Sequence, residues 1–146
     1  MKKEELTNLI DQELVLNGFK KKGNYWVING EEITKMVNLQ KSQFGNSFYI
    51  NYGYILKSIP LSNMMHIYNR VASSNYNENK RIKELLDLEN KIPNEDRILE
   101  LKQLIRDKLV RNIQAVNTEE DLLNELKKRP RLNDISIDVK KHFGLV

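Results

Sequence analysis

A chain of 146 residues is long enough for one sizeable core, and the absence of cysteine excludes disulfides, thiolate metal sites and a cysteine nucleophile. Lys and Arg number 24 against 20 Asp and Glu, a net charge of +4 that is low for a phosphate binder but unevenly spread. Residues 19–77 hold seven basic side chains (Lys20, Lys21, Lys22, Lys35, Lys41, Lys57, Arg70) against Glu31 and Glu32, with no acid from Ile33 to Asn77.

The first helix is predicted over residues 2–17, where Leu6, Leu9, Ile10 and Leu14 form one apolar stripe. Gly18 suits the left-handed residue that ends a helix, and Phe19 is expected to fold back onto its last turn. Turns follow at Gly23-Asn24 and at Asn29-Gly30; the latter, as the two central residues of a hairpin, set Trp26 opposite Ile33. Period-two alternation then assigns Trp26, Ile28, Ile33, Val37 and Leu39 to a core face shared with Phe48, Ile50 and Tyr52. A four-residue loop, Gln43-Phe44-Gly45-Asn46, pairs Gln40 with Tyr49 and Asn38 with Asn51. The opposite face therefore carries Tyr25, Met36, Asn38, Gln40, Ser42, Tyr49 and Asn51.

Pro60 interrupts the sheet pattern, and Met64 to Ala72 is expected to add a strand. Its alternation sets His66, Tyr68 and Arg70 on one side, with Met65, Ile67 and Val71 on the other. SSNYNENK reads as a polar loop, and Ile82, Leu85 and Leu86 mark a helix ending before Pro93. A long helix from Glu95 to Val116 follows, with Ile98, Leu101, Ile105, Leu109, Ile113 and Val116 as its stripe. Thr118 and Asp121 form a capping box for a helix that Pro130 stops, and Asp134 is placed as the cap of a last helix ending at Gly144. The expected fold is α+β in a single domain, residues 1–146. Helix 1–18 precedes an antiparallel sheet of four to five strands (19–72), and a helical region (79–146) contributes three to four helices.

MKKEELTNLIDQEL carries acids and no apolar run, so it does not read as a signal peptide, and no window approaches a membrane span. The expected compartment is the cytoplasm, and the Asn-, Lys- and Ile-rich, Ala-poor composition reads as bacterial. No metal or cofactor is expected, because neither histidine has a paired carboxylate motif and no glycine-rich phosphate loop occurs. Ser42, His66 and a helical acid are the only route to a hydrolytic triad, and no nucleophile elbow supports it.

The polar sheet face has two readings: amides that satisfy one another across strands, or a recognition surface. The candidate binding residues are Asn38, Gln40, Lys41, Ser42, Tyr49, Asn51, His66, Tyr68 and Arg70, with Lys41 and Arg70 as anchors for an acidic protein partner. Tyr25, Tyr49, Lys41 and Arg70 on one face would instead suit a nucleic acid or small anion. A third class is a small enzyme centred on His66 and Arg70. The long helix, about 22 residues and roughly 33 Å, exceeds a small sheet's width and offers its end to a homodimer contact.

GFKKKGNYWVI, a strand running into NLQKS, then FYINYG and HIYNR together resemble a widespread family of small bacterial proteins catalogued only as a domain of unknown function. Gly18, Phe19, Lys22, Gly23, Asn38, Gln40, Lys41, Ser42, Phe48 and Asn51 carry the match, which runs from about Leu6 to Ala72 and only loosely into the helical tail. The resemblance implies an α+β fold and brings no catalytic residues. Some members stand in toxin–immunity contexts, which implies a non-catalytic protein-binding module of immunity or antitoxin type.

Overall fold

A computed structural model describes residues 1–146. Helix α1 (Lys3–Leu16) leads into strands β1 (Lys20–Lys22), β2 (Tyr25–Asn29), β3 (Ile33–Lys41), β4 (Phe48–Leu56) and β5 (Ile67–Arg70), an antiparallel meander in the order β1-β2-β3-β4-β5. Helices α2 (Tyr76–Leu86), α3 (Asn94–Leu104), α4 (Arg111–Gln114), α5 (Glu119–Lys127) and α6 (Ile137–Phe143) follow, and a π-helical segment (Ile105–Val110) joins α3 to α4. The layout is α+β with a five-stranded antiparallel sheet, as the sequence pattern requires. No helix is long and apolar enough to cross a membrane.

The β3–β4 ladder has nine pairs, with Asn38 opposite Asn51 and Gln40 opposite Tyr49. Because opposed residues share a face, Ile33, Val37, Ile50, Tyr52 and Leu56 all point one way, and Trp26 joins them from β2. The helices supply Leu6, Ile10, Leu86, Leu101, Leu109 and Val139, among others, to one cluster of 29 buried residues with this face. Burying apolar surface is what holds helices and sheet together. Polar contacts orient the layers: Trp26 Nε1 donates to Asp11 Oδ1 at 2.8 Å, and Arg106 donates to both carboxylate oxygens of Glu13 at 2.9 and 3.0 Å.

The β2–β3 hairpin departs from expectation. Trp26 stands opposite Val37, not Ile33, and the turn is made by Glu31 and Glu32. An Asn-Gly turn needs a left-handed asparagine, and no non-glycine residue has positive φ. Asn29 instead stays in the strand, where its Oδ1 accepts from the Thr34 hydroxyl at 2.9 Å. The slip is an even number of residues, so every side chain keeps its predicted face.

Other boundaries also shift. The fifth strand covers only Ile67 to Arg70, so alternation does not extend back to Met65. Its sulfur lies over Gly53 on the outer face rather than in the main core. Asn75, inside the supposed polar loop, caps α2 by accepting from Glu78 N–H, and Ser136 rather than Asp134 caps α6. The long helix is continuous from Asn94 to Gln114 but contains the π segment. Leu101, Ile105, Leu109 and Ile113 recur every four residues, a spacing that drifts about 40° per step around an α-helix. The wider π turns unwind that drift, and all four side chains remain fully buried.

Two features missed by pattern reading hold the frame. Gly53 faces the β5 backbone so closely that a Cβ there would lie 2.0 Å from the Ile67 carbonyl oxygen and 2.6 Å from Met65 Sδ. Arg97 is 1% exposed, and its guanidinium donates to the carbonyls of Leu85, Asp87 and Asn90 at the end of α2. Burial pushes its pKa down, while the carbonyls satisfy its donors.

Gly53→Ala is expected to lower unfolding free energy by about 3 kcal/mol, because the clash is with backbone. A urea titration should show a lower midpoint at unchanged slope. Arg97→Met keeps the volume but strands several carbonyls, and a loss of about 3 kcal/mol is expected in the same titration.

Candidate recognition face

The outer sheet face is written by the β3–β4–β5 register. Asn38, Asn51 and Arg70 lie in one row, Gln40 and Tyr49 in the next, and Gly53 pairs with Tyr68. Asn51 Nδ2 donates to Gln40 Oε1 at 2.8 Å, Arg70 Nε donates to Asn51 Oδ1 at 3.0 Å, and Arg70 Nη2 donates to the same Gln40 oxygen at 3.1 Å. The guanidinium lies 3.9 Å above the Tyr49 ring centroid. Asn51 is 4% exposed, so the amides form a fixed base for an exposed cation.

Two of the five guanidinium N–H groups are used by these amides. Both hydrogens of Nη1 have no protein acceptor, and no ion pair of the chain involves Arg70. An arginine held flat, desolvated on one side by an aromatic ring and left without an anion, is suited to a carboxylate or phosphate that approaches in its plane. Asn38 adds the one buried side-chain polar atom without a partner, its Oδ1. Its residue lines a cleft of about 300 Å³ with Lys3, Lys21, Tyr25 and Met64, where β2 begins and β3 runs on past it.

The other candidates divide. Lys41 pairs with Phe48, so it shares the core-side face and does not stand beside Gln40 and Asn51. Lys35 also points to the helices, where its ammonium donates to Gln114 and Asn117 and burial pushes its pKa down. The acid-free sheet is therefore less basic on its outer face than the charge count suggests. Ser42 accepts from Phe44 N–H and fixes the hairpin loop. Tyr68 is on the face, and its hydroxyl donates to Met64 Sδ at 3.4 Å.

His66 is tied at both ring nitrogens: Nδ1 accepts from Leu56 N–H at 2.8 Å, and Nε2 lies 2.8 Å from the Pro60 carbonyl. Those bonds fit a neutral ring protonated on Nε2, which pins the β4–β5 connection. Ser42 and His66 stand at opposite ends of β4, nine residues and roughly 30 Å of strand at ~3.3 Å per residue. A Ser42–His66 pairing, which no nucleophile elbow supports, does not form.

Residues the sequence reading passed over complete this end of the sheet. Phe44 is 85% exposed at the tip of a loop that is tied down by Leu88 N–H donating to Asn46 O and by the Ser47–Asp87 bridge. Lys83, from α2, lines a groove with Arg70. The local signal for both was slight: one aromatic between polar turn residues and one lysine on an amphipathic helix.

The family described as domain of unknown function (DUF4304) matches residues 10–128. The chain belongs to this family. The DUF4304 match runs from within α1 through α5, so it covers the whole sheet and most of the helical layer rather than the sheet half alone. No curated protein and no solved structure matches the chain.

Two further clusters on this DUF4304 fold show internal neutralisation. A cavity of about 410 Å³ lies between the sheet and α4–α5, lined by Tyr52, Tyr54, Asn112, Glu125 and Arg129. Burial raises the pKa of both phenols, which keeps them protonated, and Arg129 is engaged by Asn69, the Tyr68 carbonyl and Asp134. At the other cluster, Ser58 Oγ donates to Glu119 Oε2 at 2.9 Å, and His142 Nε2 lies 2.5 Å from Glu119 Oε1 and 3.4 Å from Ser58 Oγ. A catalytic relay would present opposite ring nitrogens to hydroxyl and acid. Here one nitrogen faces both and the hydroxyl gives its hydrogen to the carboxylate, so the cluster clamps the turn after β4 to α5 and α6.

His142, with help from Ser58, holds the Glu119 carboxyl below the usual carboxylate range. A depressed folded pKa contributes stability above the unfolded value, near 4.3, and that contribution is lost as pH falls through the folded value. Glu119→Gln is therefore expected to cost about 1 kcal/mol at pH 5.5. The gap from wild type should close in urea titrations carried down toward pH 3.

Proposed function

We propose that this is a non-catalytic, cytoplasmic bacterial protein that binds another protein, of immunity or antitoxin type, and that an acidic segment of the partner meets the Arg70 face. The observation that carries the reading is the Arg70 guanidinium: fixed by Asn51 and Gln40, stacked on Tyr49, and free of any ion pair. Fixing the cation in advance reduces the ordering cost of binding, and the absence of acids from Ile33 to Asn77 favours a negative partner.

Nucleic acid is the competing ligand. The geometry favours it less, because Arg70 already occupies one face of Tyr49 and Lys41 points away from the amide row. A base would have to displace the guanidinium to stack there. Self-association through the long helix is a separate mode, for which Leu99, 68% exposed, is the apolar group available.

A tagged copy expressed in its native cell is expected to retain a stoichiometric partner. Arg70→Ala should weaken retention at least tenfold while leaving the melting temperature within about 2 °C, since the side chain is exposed. An unchanged complex would contradict the assigned face. Single-stranded oligonucleotides should not bind at about 50 mM salt; binding that falls steeply with salt would put nucleic acid in the partner's place.

A further inference from the structure

Beside Arg70 the end of the sheet forms a groove of about 410 Å³ with α2. Its floor is Phe48, Val71, Ile82 and Leu86, each no more than 5% exposed, and its rim carries the exposed cations Arg70 and Lys83. None of the groove residues is an acid, and neither cation belongs to an ion pair. The remaining amide on the wall, Asn79, already accepts from Ser73 N–H through its Oδ1.

We propose that this groove seats an apolar side chain of the partner, with a carboxylate next to it held between Arg70 and Lys83. The proposal rests on the reading above and supplies the chemistry of the segment that docks. An apolar floor alone accepts any apolar group, and a cationic rim alone accepts any small anion. Both in one concavity select a group that carries both properties. A sugar phosphate satisfies the rim but sets hydroxyls against a floor that offers them no partners.

The test uses the full chain, labelled with nitrogen-15, and three probes: N-acetylphenylalanine, its uncharged carboxamide, and acetate. N-Acetylphenylalanine is expected to shift the backbone amides of Tyr49, Ala72 and Lys83 and to saturate in the millimolar range. The carboxamide, which lacks the charge, and acetate, which lacks the apolar body, should bind at least tenfold more weakly. Ala72→Trp, which fills the groove from an exposed position, and Lys83→Ala should each weaken the probe at least fivefold with the rest of the spectrum unchanged. Equal binding of the three probes, shifts elsewhere, or no shift overturns the proposal. If the probe fails while Arg70→Ala still releases the partner, the groove assignment falls and the recognition face stands. If the probe binds while Arg70→Ala leaves the partner attached, the groove is a small-carboxylate site and partner docking there is overturned.

Discussion

The nine-pair ladder between β3 and β4 is the constraint on which the other layers depend. It joins the two longest strands and sorts their side chains between two unlike environments. One face carries Ile33, Val37, Ile50 and Leu56 and attracts every helix; the other carries Asn38, Gln40, Tyr49 and Asn51. A slip of one residue between them would turn one strand over and bury its two amide or phenol groups under the helices, so the apolar alternation opposes any odd shift of register. The same register decides that Arg70, entering on β5 opposite Asn51, lands above Tyr49.

Cross-strand satisfaction and recognition are not alternatives on this face. The amides satisfy one another only in part: Asn51 donates to Gln40 and both accept from Arg70, while Asn38 Oδ1 is left without a partner. Their effect is to orient a guanidinium rather than to neutralise it, because amides carry no charge. An acid in either position would have quenched the cation. The strand neighbours and the ring together present one planar cation on a rigid sheet, next to a concave apolar surface supplied by α2.

Much of this arrangement was readable from sequence. The four-residue loop Gln43-Phe44-Gly45-Asn46 chose, among the pairings that keep Val37, Leu39, Phe48 and Ile50 together, the one that sets Gln40 opposite Tyr49, and that pairing is the one found. The Asn29-Gly30 turn was misplaced because local preference lost to the hydrogen bond between Asn29 and Thr34, a contact a dipeptide signal does not contain. Alternation puts Lys35 on the face of Ile33 and Val37, but what would satisfy its ammonium there, and the burial of Arg97, could not be read from sequence. Their partners, Gln114 and Asn117 for one and the end of α2 for the other, come from distant segments. The DUF4304 match extends through α5, yet the groove beside Arg70 was invisible in sequence, since Lys83 reaches it only after α2 packs back against the strand ends.

The claim most exposed to test is that the partner approaches the sheet end carrying Arg70 and not the helical layer. Photo-cross-linking from a benzoylphenylalanine placed at Phe44, beside that sheet end, or at Leu99, on the exposed side of α3, separates the two directly. The account predicts a single cross-linked partner from Phe44 and none from Leu99. A cross-link from Leu99 alone, whether to another protein or to a second copy of this chain, would contradict it.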